Sequence, residues 1–145
     1  MKVERSTEIG AAPERVYEVV MDPARLEDWV SIHESLIESP GGGLKKGSEL
    51  VQCLKLAGRK FNVHWKVVED DHPKRVVWEG QGPVHSHAKV IYGLERNGDG
   101  GTRFSYVNEY DLPGGPLGKL AGRTVAGVAR READKSLQRL KKLLE

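Results

Sequence analysis

The sequence contains a set of aromatic residues whose rings end in a polar atom, and these are its best candidates for holding a small molecule. Buried tryptophan and tyrosine usually need a hydrogen-bond partner, which can be a neighbouring residue, a trapped water or a bound guest. Together with residues that share their predicted faces, the candidate ligand-binding residues are Trp29, His33, Leu54, Phe61, Trp65, Trp78, His87, Tyr92, Tyr106, Asn108 and Tyr110. An ordinary aromatic core has the same composition, so both interpretations stay open at this point.

Five histidines raise the question of metal binding and of acid–base chemistry. His85 and His87 alternate on one predicted strand, but the other three lack a recognisable ligand spacing, so we predict no metal site and no cofactor. Histidine titrates close to neutral pH, and His33 or His87 at a cavity mouth could transfer a proton. We expect His64 on a polar strand face and His72 in a turn, where both are solvated.

The motifs of nucleophilic catalysis and of phosphate binding are missing from the sequence. No Gly-x-Ser-x-Gly elbow occurs, and Cys53 has no activating neighbour along the chain. The glycines at Gly41 to Gly43 are not followed by Gly-Lys-Ser/Thr, and those at Gly98 to Gly101 precede a strand rather than a helix. We therefore assign no catalytic residue from the sequence.

Length and charge indicate one domain without a nucleic-acid footprint. The chain has 145 residues, enough for a single core, and we expect one ligand-binding domain over residues 1–145. Its 23 Lys and Arg residues nearly balance 21 Asp and Glu residues, for a net charge of +2, so we predict no DNA binding. A single cysteine and an N-terminal segment without an apolar core favour a cytoplasmic location.

Turn-forming residues divide most of the chain into antiparallel strands. The glycine-rich segment Asn97 to Gly101 is the clearest hairpin turn. The predicted strands are Val3 to Ile9, Ser48 to Leu56, Lys60 to Asp70, Arg75 to Gln81, Ser86 to Arg96 and Thr102 to Leu112, and a region near Leu36 to Ser39 is a candidate for one more. After the first strand, Pro13 and Asp22 mark the starts of two short helices.

Alternation along these strands assigns one face of the sheet to the interior. On the strand from Lys60 to Asp70, the inward residues are Phe61, Val63, Trp65 and Val67, opposite Lys60, Asn62, His64 and Lys66. The other inward residues are Leu50, Gln52, Leu54, Leu56, Val76, Trp78, Val90, Tyr92, Leu94, Phe104, Tyr106, Asn108 and Tyr110. Trp29 is expected at the rim, and Glu109 and Asp111 on the solvated side.

Pro116 to Leu144 is predicted to form one long helix with an apolar stripe. The stripe consists of Leu117, Leu120, Ala121, Val125, Val128, Leu137, Leu140 and Leu144. Only the strands are wide enough to cover it, so the predicted fold is α+β, a curved antiparallel sheet of six or seven strands around this helix. Such a wrap can leave a hollow, and we expect a cavity of roughly several hundred Å³.

A set of short motifs runs through the whole chain. They are Ala11 to Tyr17, Asp22, Trp29, Asp70 to Arg75, Gly100 to Arg103 and the closing helix. Together they resemble the polyketide cyclase/dehydrase and lipid-transport family of the START-like, or birch-pollen-allergen-like, superfamily. The resemblance implies the helix-grip fold and a deep cavity between helix and sheet, with Trp29 by its entrance. It says little about activity, because the superfamily includes lipid carriers, aromatase/cyclases, hormone receptors and ubiquinone-binding proteins.

Similarity to the bacterial aromatase/cyclases weakens on the central strands. Those enzymes place arginines in the pocket, whereas here Arg75 stands only at the start of its strand. A rough alignment to them also shifts by one residue, which would turn Asn62 and His64 inward. We favour the assignment that turns Phe61 and Trp65 inward instead, because the shifted one would bury Lys66 at a high cost in free energy.

Three functions follow from these observations. The first is binding of a small hydrophobic molecule, such as a lipid, a polyketide or an aromatic compound, between sheet and helix. The second is a polyketide aromatase/cyclase or dehydratase, in which tyrosine or histidine moves protons. The third is a module whose basic terminal helix docks on a membrane or on RNA, although a solvated face is the simpler explanation of that charge. No oligomeric state is predicted.

Overall fold

In its computed structural model, the protein forms a seven-stranded antiparallel sheet wrapped around one long helix. The structure describes the backbone of residues 1–111 and 116–145 and the side chains of residues 1–110 and 125–145. The strands are β1 (Lys2–Ile9), β2 (His33–Glu38), β3 (Glu49–Leu56), β4 (Arg59–Asp71), β5 (Arg75–Gln81), β6 (His87–Arg96) and β7 (Thr102–Asp111). The helices are α1 (Pro13–Val20), α2 (Leu26–Trp29) and α3 (Pro116–Leu144). These elements confirm the predicted helix-grip fold.

The order of strands across the sheet is β1-β7-β6-β5-β4-β3-β2. Strands β2 to β7 therefore form a meander, and β1 returns to pair with β7 at the far side. A 3-10 turn at Pro23–Arg25, capped by the Asp22 carboxylate on the Ala24 amide, leads the chain into α2. This connection between β1 and β2 crosses the sheet and brings α2 over its inner face.

The inner face of the sheet has the predicted parity. On β4, Val63, Trp65 and Val67 are buried, whereas Asn62 and Lys66 are exposed. The register agrees, because Trp65 pairs with Leu50 on β3 and with Gly80 on β5, both on the buried face. The one-residue shift that an alignment to aromatase/cyclases would require is therefore wrong for β4.

Small side chains bring α3 against the sheet. Ala129, Ala133 and Ser136 are buried beside Leu137 and Leu140. The predicted stripe was correct for the two leucines, but Val125, Val128 and Leu144 are only half-buried. The apolar pattern missed the alanines because their small size contributes little to a hydrophobic stripe, although it allows close approach. The predicted end of β7 at Leu112 and the side chains of Asp111, Leu117, Leu120 and Ala121 lie outside the described residues.

Hydrogen bonds fasten the second half of α3 to the segment after α2. The Ser31 amide donates to Ser136 Oγ at 2.9 Å, and Ser31 Oγ donates to the Glu132 carbonyl at 2.8 Å. On the β1 side, Arg5 Nε donates to Asp134 Oδ1 at 2.9 Å. These contacts hold α2, α3 and the sheet around the same interior space.

Candidate functional site

Four aromatic side chains from neighbouring strands form a continuous wall inside the sheet. Trp65, Trp78, Tyr92 and Tyr106 come from β4, β5, β6 and β7, and consecutive ring centroids lie 6.0, 5.5 and 5.8 Å apart. The two contacts that involve Trp78 are edge-to-face, an arrangement in which the positive edge of one ring meets the negative face of the next. We refer to these four residues as the aromatic wall.

Trp29 of α2 lies against the aromatic wall rather than at the rim of the fold. Its ring centroid is 5.5 Å from that of Tyr106 and 5.8 Å from that of Tyr92. The residue has no exposed surface. The expected position by a cavity entrance is therefore wrong, because the indole extends from α2 to the rings on β6 and β7 and lies in the centre of the core.

A chain of hydrogen bonds leads from the aromatic wall to the surface. Trp65 Nε1 donates to Gln52 Oε1 at 2.9 Å, and Gln52 Nε2 lies 2.8 Å from His33 Nδ1. An indole N–H can only donate, so Gln52 must present its oxygen to Trp65 and its amide N–H to His33. His33 Nδ1 therefore accepts, and the ring is the neutral tautomer with its proton on Nε2. Gln52 was predicted to face inward but was not recognised as a site residue.

Two buried N–H groups near these hydrogen bonds have no partner among the described residues. They are Trp29 Nε1 and Trp78 Nε1. A buried donor without a partner costs about 1–3 kcal/mol, because it loses its hydrogen bond to water on folding. Most buried polar groups in folded proteins are paired, so an orphaned indole N–H at the aromatic wall indicates a place for an acceptor atom.

The interior between these residues is almost filled. The space lined by Trp65, Trp78, Tyr92 and Tyr106 together with Leu26, Ile32, Gln52 and Asn108 has a volume of about 20 Å³. A second space beside Ser31, Tyr110 and Ser136 measures about 10 Å³. A volume of this size holds about one water molecule. The predicted cavity of several hundred Å³ is therefore not present between the described residues.

Burial keeps the tyrosines of this interior protonated. It raises the pKa of Tyr92, Tyr106 and Tyr110, because the phenolate ion would lose its hydration. The Asn108 side chain opposes part of the rise in the pKa of Tyr106. These hydroxyl groups are therefore available as neutral hydrogen-bond donors and acceptors.

The remaining candidate residues divide between the inner and outer faces. Leu54 is buried on the inner face, and Phe61 and Tyr110 are partly buried against the same core. His87 is exposed on the outer face of β6. Val90 and Tyr92 are buried on the inner face, and His87 is an odd number of residues away from each of them. Its placement among the cavity-lining residues is therefore wrong, and His33 is the histidine that reaches the interior.

The tautomer of His33 predicts a pH-dependent stability. Burial lowers the pKa of His33 from its ordinary value of 6.5, although the carboxylates of Glu27 and Glu34 oppose this shift and Glu34 itself is paired with Lys60. Between the two pKa values the unfolded chain binds the proton more strongly, so stability decreases as the pH falls below 6.5 and levels off below the folded pKa. Chemical denaturation at a series of pH values measures this slope.

Two variants separate His33 from the other titrating groups. His33→Asn keeps an acceptor for Gln52 but cannot be protonated, so its stability should change less with pH over this range. His85→Asn removes an exposed histidine that forms no ion pair with the described side chains, and it should leave the slope in place. An equal slope in wild type and His33→Asn would contradict the lowered pKa of His33.

The outward face of α3 carries the positive charge that the sequence predicted. Four exposed basic residues lie on this half of the helix: Arg130, Arg131, Arg139 and Lys142. Lys135 Nζ is paired with Glu132 Oε1 at 3.3 Å. Among the described helices, none is both long enough and apolar enough to cross a membrane. Docking of this face on a membrane or on RNA stays a prediction.

The fold and its aromatic interior define the class of protein to which this chain belongs. A helix-grip sheet closed by a long C-terminal helix is the framework of START-like domains, and the family model for polyketide cyclase / dehydrase and lipid transport matches residues 1–145. The chain is a member of this family.

Individual relatives extend this comparison. The uncharacterized protein Rv1546 of Mycobacterium tuberculosis is 28% identical over 145 residues, which cover 97% of this chain and 96% of the relative. The crystal structure of TTHA0849 from Thermus thermophilus is similar with a TM-score of 0.81 at 22% identity, over 98% of this chain and 95% of that one. The Zhui aromatase/cyclase from Streptomyces sp. R1128 also has a TM-score of 0.81, at 14% identity over 99% and 93%. At these identities the two structures show a common fold.

Proposed function

We propose that this protein binds a small, mainly apolar molecule that carries a hydrogen-bond acceptor, and that the guest lies against the aromatic wall. The observation that carries the proposal is Trp78 Nε1, a buried donor that has no partner among the described residues and belongs to a side chain lining the interior space. Membership of a family named for polyketide cyclases and lipid transport supports a hydrophobic guest.

The chemistry of the interior sets the character of the guest. Burial of apolar surface against the rings of the aromatic wall contributes about 25 cal/mol per Å² removed from water. A carbonyl or ether oxygen close to Trp78 Nε1 would accept a hydrogen bond from a donor that no described residue satisfies. Trp65 offers no free donor, because Gln52 already accepts from it. Selectivity therefore depends on an acceptor placed at Trp78.

A guest larger than one water requires the interior to open. Ile32 and Tyr110 line the space of about 20 Å³ and are only partly buried, so they form its margin. Tyr92 and Trp78 are fully buried and form its floor. The guest enters by displacing the marginal side chains while the floor stays in place. Binding is then slower than expected for an open pocket, because opening precedes it.

Two probes of nearly equal shape test the role of the acceptor. 2-Acetylnaphthalene carries a carbonyl oxygen, and 2-ethylnaphthalene replaces it with hydrogen atoms. The chain has three tryptophans, so a ¹H–¹⁵N spectrum shows three indole N–H resonances that Trp→Phe variants assign. We expect the ketone to shift the Trp78 resonance strongly and to bind roughly tenfold more tightly than the hydrocarbon, since one satisfied donor contributes about 1.4 kcal/mol.

The matched variants are Trp78→Phe and Trp65→Phe. Trp78→Phe removes the free donor, so it should lose the preference for the ketone and favour the hydrocarbon, whose burial leaves no carbonyl unpaired. Trp65→Phe removes a donor that Gln52 already occupies, so it should keep the preference for the ketone. Failure of either probe to move any interior resonance, or equal affinities in the wild type, would falsify the proposal.

A cyclase or dehydratase reaction on the bound guest is the second candidate, and the neutral His33 ring favours it. His33 is connected to the aromatic wall through Gln52, and its Nε2–H faces away from that bond. Native mass spectrometry of protein purified from its own host distinguishes the two functions. An intact bound molecule supports carriage, whereas a guest found only as a product that has lost water supports catalysis.

A further inference from the structure

The outer face of the sheet carries a row of six charged residues whose signs alternate from strand to strand. Each residue pairs in register with the next, from β3 through β4, β5, β6 and β7 to β1. In spatial order the row is Glu49, Lys66, Glu79, Lys89, Glu109 and Lys2. We call this row the charge ladder. Since neighbouring strands are about 4.8 Å apart, it spans roughly 24 Å.

The middle of the charge ladder is not used by ion pairs within the chain. At its ends, Lys2 lies 4.0 Å from Glu109 and Glu49 lies 3.7 Å from His64. Lys66, Glu79 and Lys89 come within 4.0 Å of no oppositely charged group among the described side chains. All six residues line one groove of about 810 Å³. The groove leaves room for side chains from another surface.

The charge ladder has six residues of alternating sign. If a second copy faces it in the reverse order, each charge therefore meets one of opposite sign. We propose that the charge ladder is an interface between two copies of this chain, related by a two-fold axis parallel to the strands and between β5 and β6. This axis places Glu79 opposite Lys89 of the second copy and Lys66 opposite Glu109 of the second copy. A two-fold axis along the ladder would instead place like charges together, so the charge pattern selects one orientation.

One row beside the charge ladder adds apolar residues to the same face of the sheet. Val77, Ile91 and Val107 follow one another in register on the outer face of β5, β6 and β7. Ile91 and Val107 are half-buried and leave apolar surface free beside the charges, whereas Val77 is only 3% exposed and adds almost none. The two rows together are roughly 24 Å wide and 10 Å tall, or roughly 240 Å² per copy, so the interface is weak and depends on the charges.

Charge-reversed variants distinguish contact between copies from contact within one chain. Glu79→Lys and Lys89→Glu each place like charges opposite one another in a dimer of identical copies, so each alone should dimerise roughly tenfold more weakly than the wild type. Mixing the two variants restores opposite charges across the interface without changing either chain. Sedimentation equilibrium at low salt should therefore show dimers in the mixture and monomers in each separate solution.

Salt and control variants complete the test. The wild-type dimer should dissociate as salt rises, since the screening length falls from about 30 Å at 0.01 M to about 3 Å at 1 M. Glu18→Lys and Lys46→Glu make the same charge changes at positions away from the ladder and should leave dimerisation unchanged. Circular dichroism verifies that each variant is folded. A wild type that stays monomeric at millimolar concentration in low salt, or a mixture that forms no dimer, overturns the proposal.

Discussion

Replacement of Trp29 by alanine should lower the free energy of unfolding by about 3–5 kcal/mol, the usual cost of truncating a large buried aromatic side chain. Trp29 has no exposed surface, and its ring contacts those of Tyr92, Phe104 and Tyr106 at centroid distances of 5.8, 6.3 and 5.5 Å. Removing it leaves a void that three rigid rings cannot fill. Urea denaturation followed by far-ultraviolet circular dichroism measures the loss without depending on tryptophan fluorescence.

Trp29→Phe is the matched control for this prediction. Phenylalanine keeps a ring in contact with the aromatic wall and removes the N–H, which has no partner among the described residues. No hydrogen bond is lost with it, so the cost should be much smaller than that of Trp29→Ala. Equal losses for the two variants would mean that the indole N–H makes an important bond, and the assignment of Trp29 as an orphaned donor would be wrong.

The alternation of side chains made the faces of the sheet predictable. On β4, burial of Val63, Trp65 and Val67 follows directly from their period of two, and the cost of burying Lys66 correctly excluded the shifted alignment. The same rule, applied from Val90 and Tyr92, places His87 on the outer face. That error was avoidable from the sequence, since residues an odd number apart on a regular strand face opposite sides.

The size of the space inside the sheet was not predictable in the same way. Whether a curved sheet encloses a hollow depends on how closely α2 and α3 approach it, and that distance is set by contacts between residues far apart in the chain. Trp29 fills space above β6 and β7, and the alanines at Ala129 and Ala133 let α3 approach the sheet. A count of inward aromatic rings carries no information about either distance.

Gln52 is a site residue that the sequence pattern indicates only in part. It stands between Leu50 and Leu54 on the inward face of β3, and a buried amide among leucines requires hydrogen-bond partners. Its partners, Trp65 and His33, come from β4 and β2, the two strands that pair with β3. The parity of β3 therefore indicated a polar site, but only the register between strands identifies its members.

Replacement of Gly80 by alanine should destabilise the protein by about 2–3 kcal/mol through overpacking, and lower its melting temperature by roughly 5 to 10 °C. Gly80 pairs in register with Trp65, whose indole lies across the glycine. A Cβ at Gly80 would lie 2.6 Å from Trp65 Cε3 and 2.6 Å from Val63 Cγ1. Neither atom is the end of a flexible chain, and the bond from Trp65 to Gln52 fixes the indole in place. Thermal denaturation measures the loss.

Gly98→Ala provides the comparison, because a Cβ there meets no atom within 4 Å. It should change the stability very little, and it carries the same change in the flexibility of the unfolded chain as Gly80→Ala. The difference between the two variants therefore isolates the clash with Trp65. If the indole turns aside to admit the methyl group, its bond to Gln52 breaks, and the Trp65 N–H resonance moves. A Gly80→Ala variant as stable as Gly98→Ala, with that resonance unchanged, would show that the aromatic wall is looser than its contacts imply and already able to admit a guest.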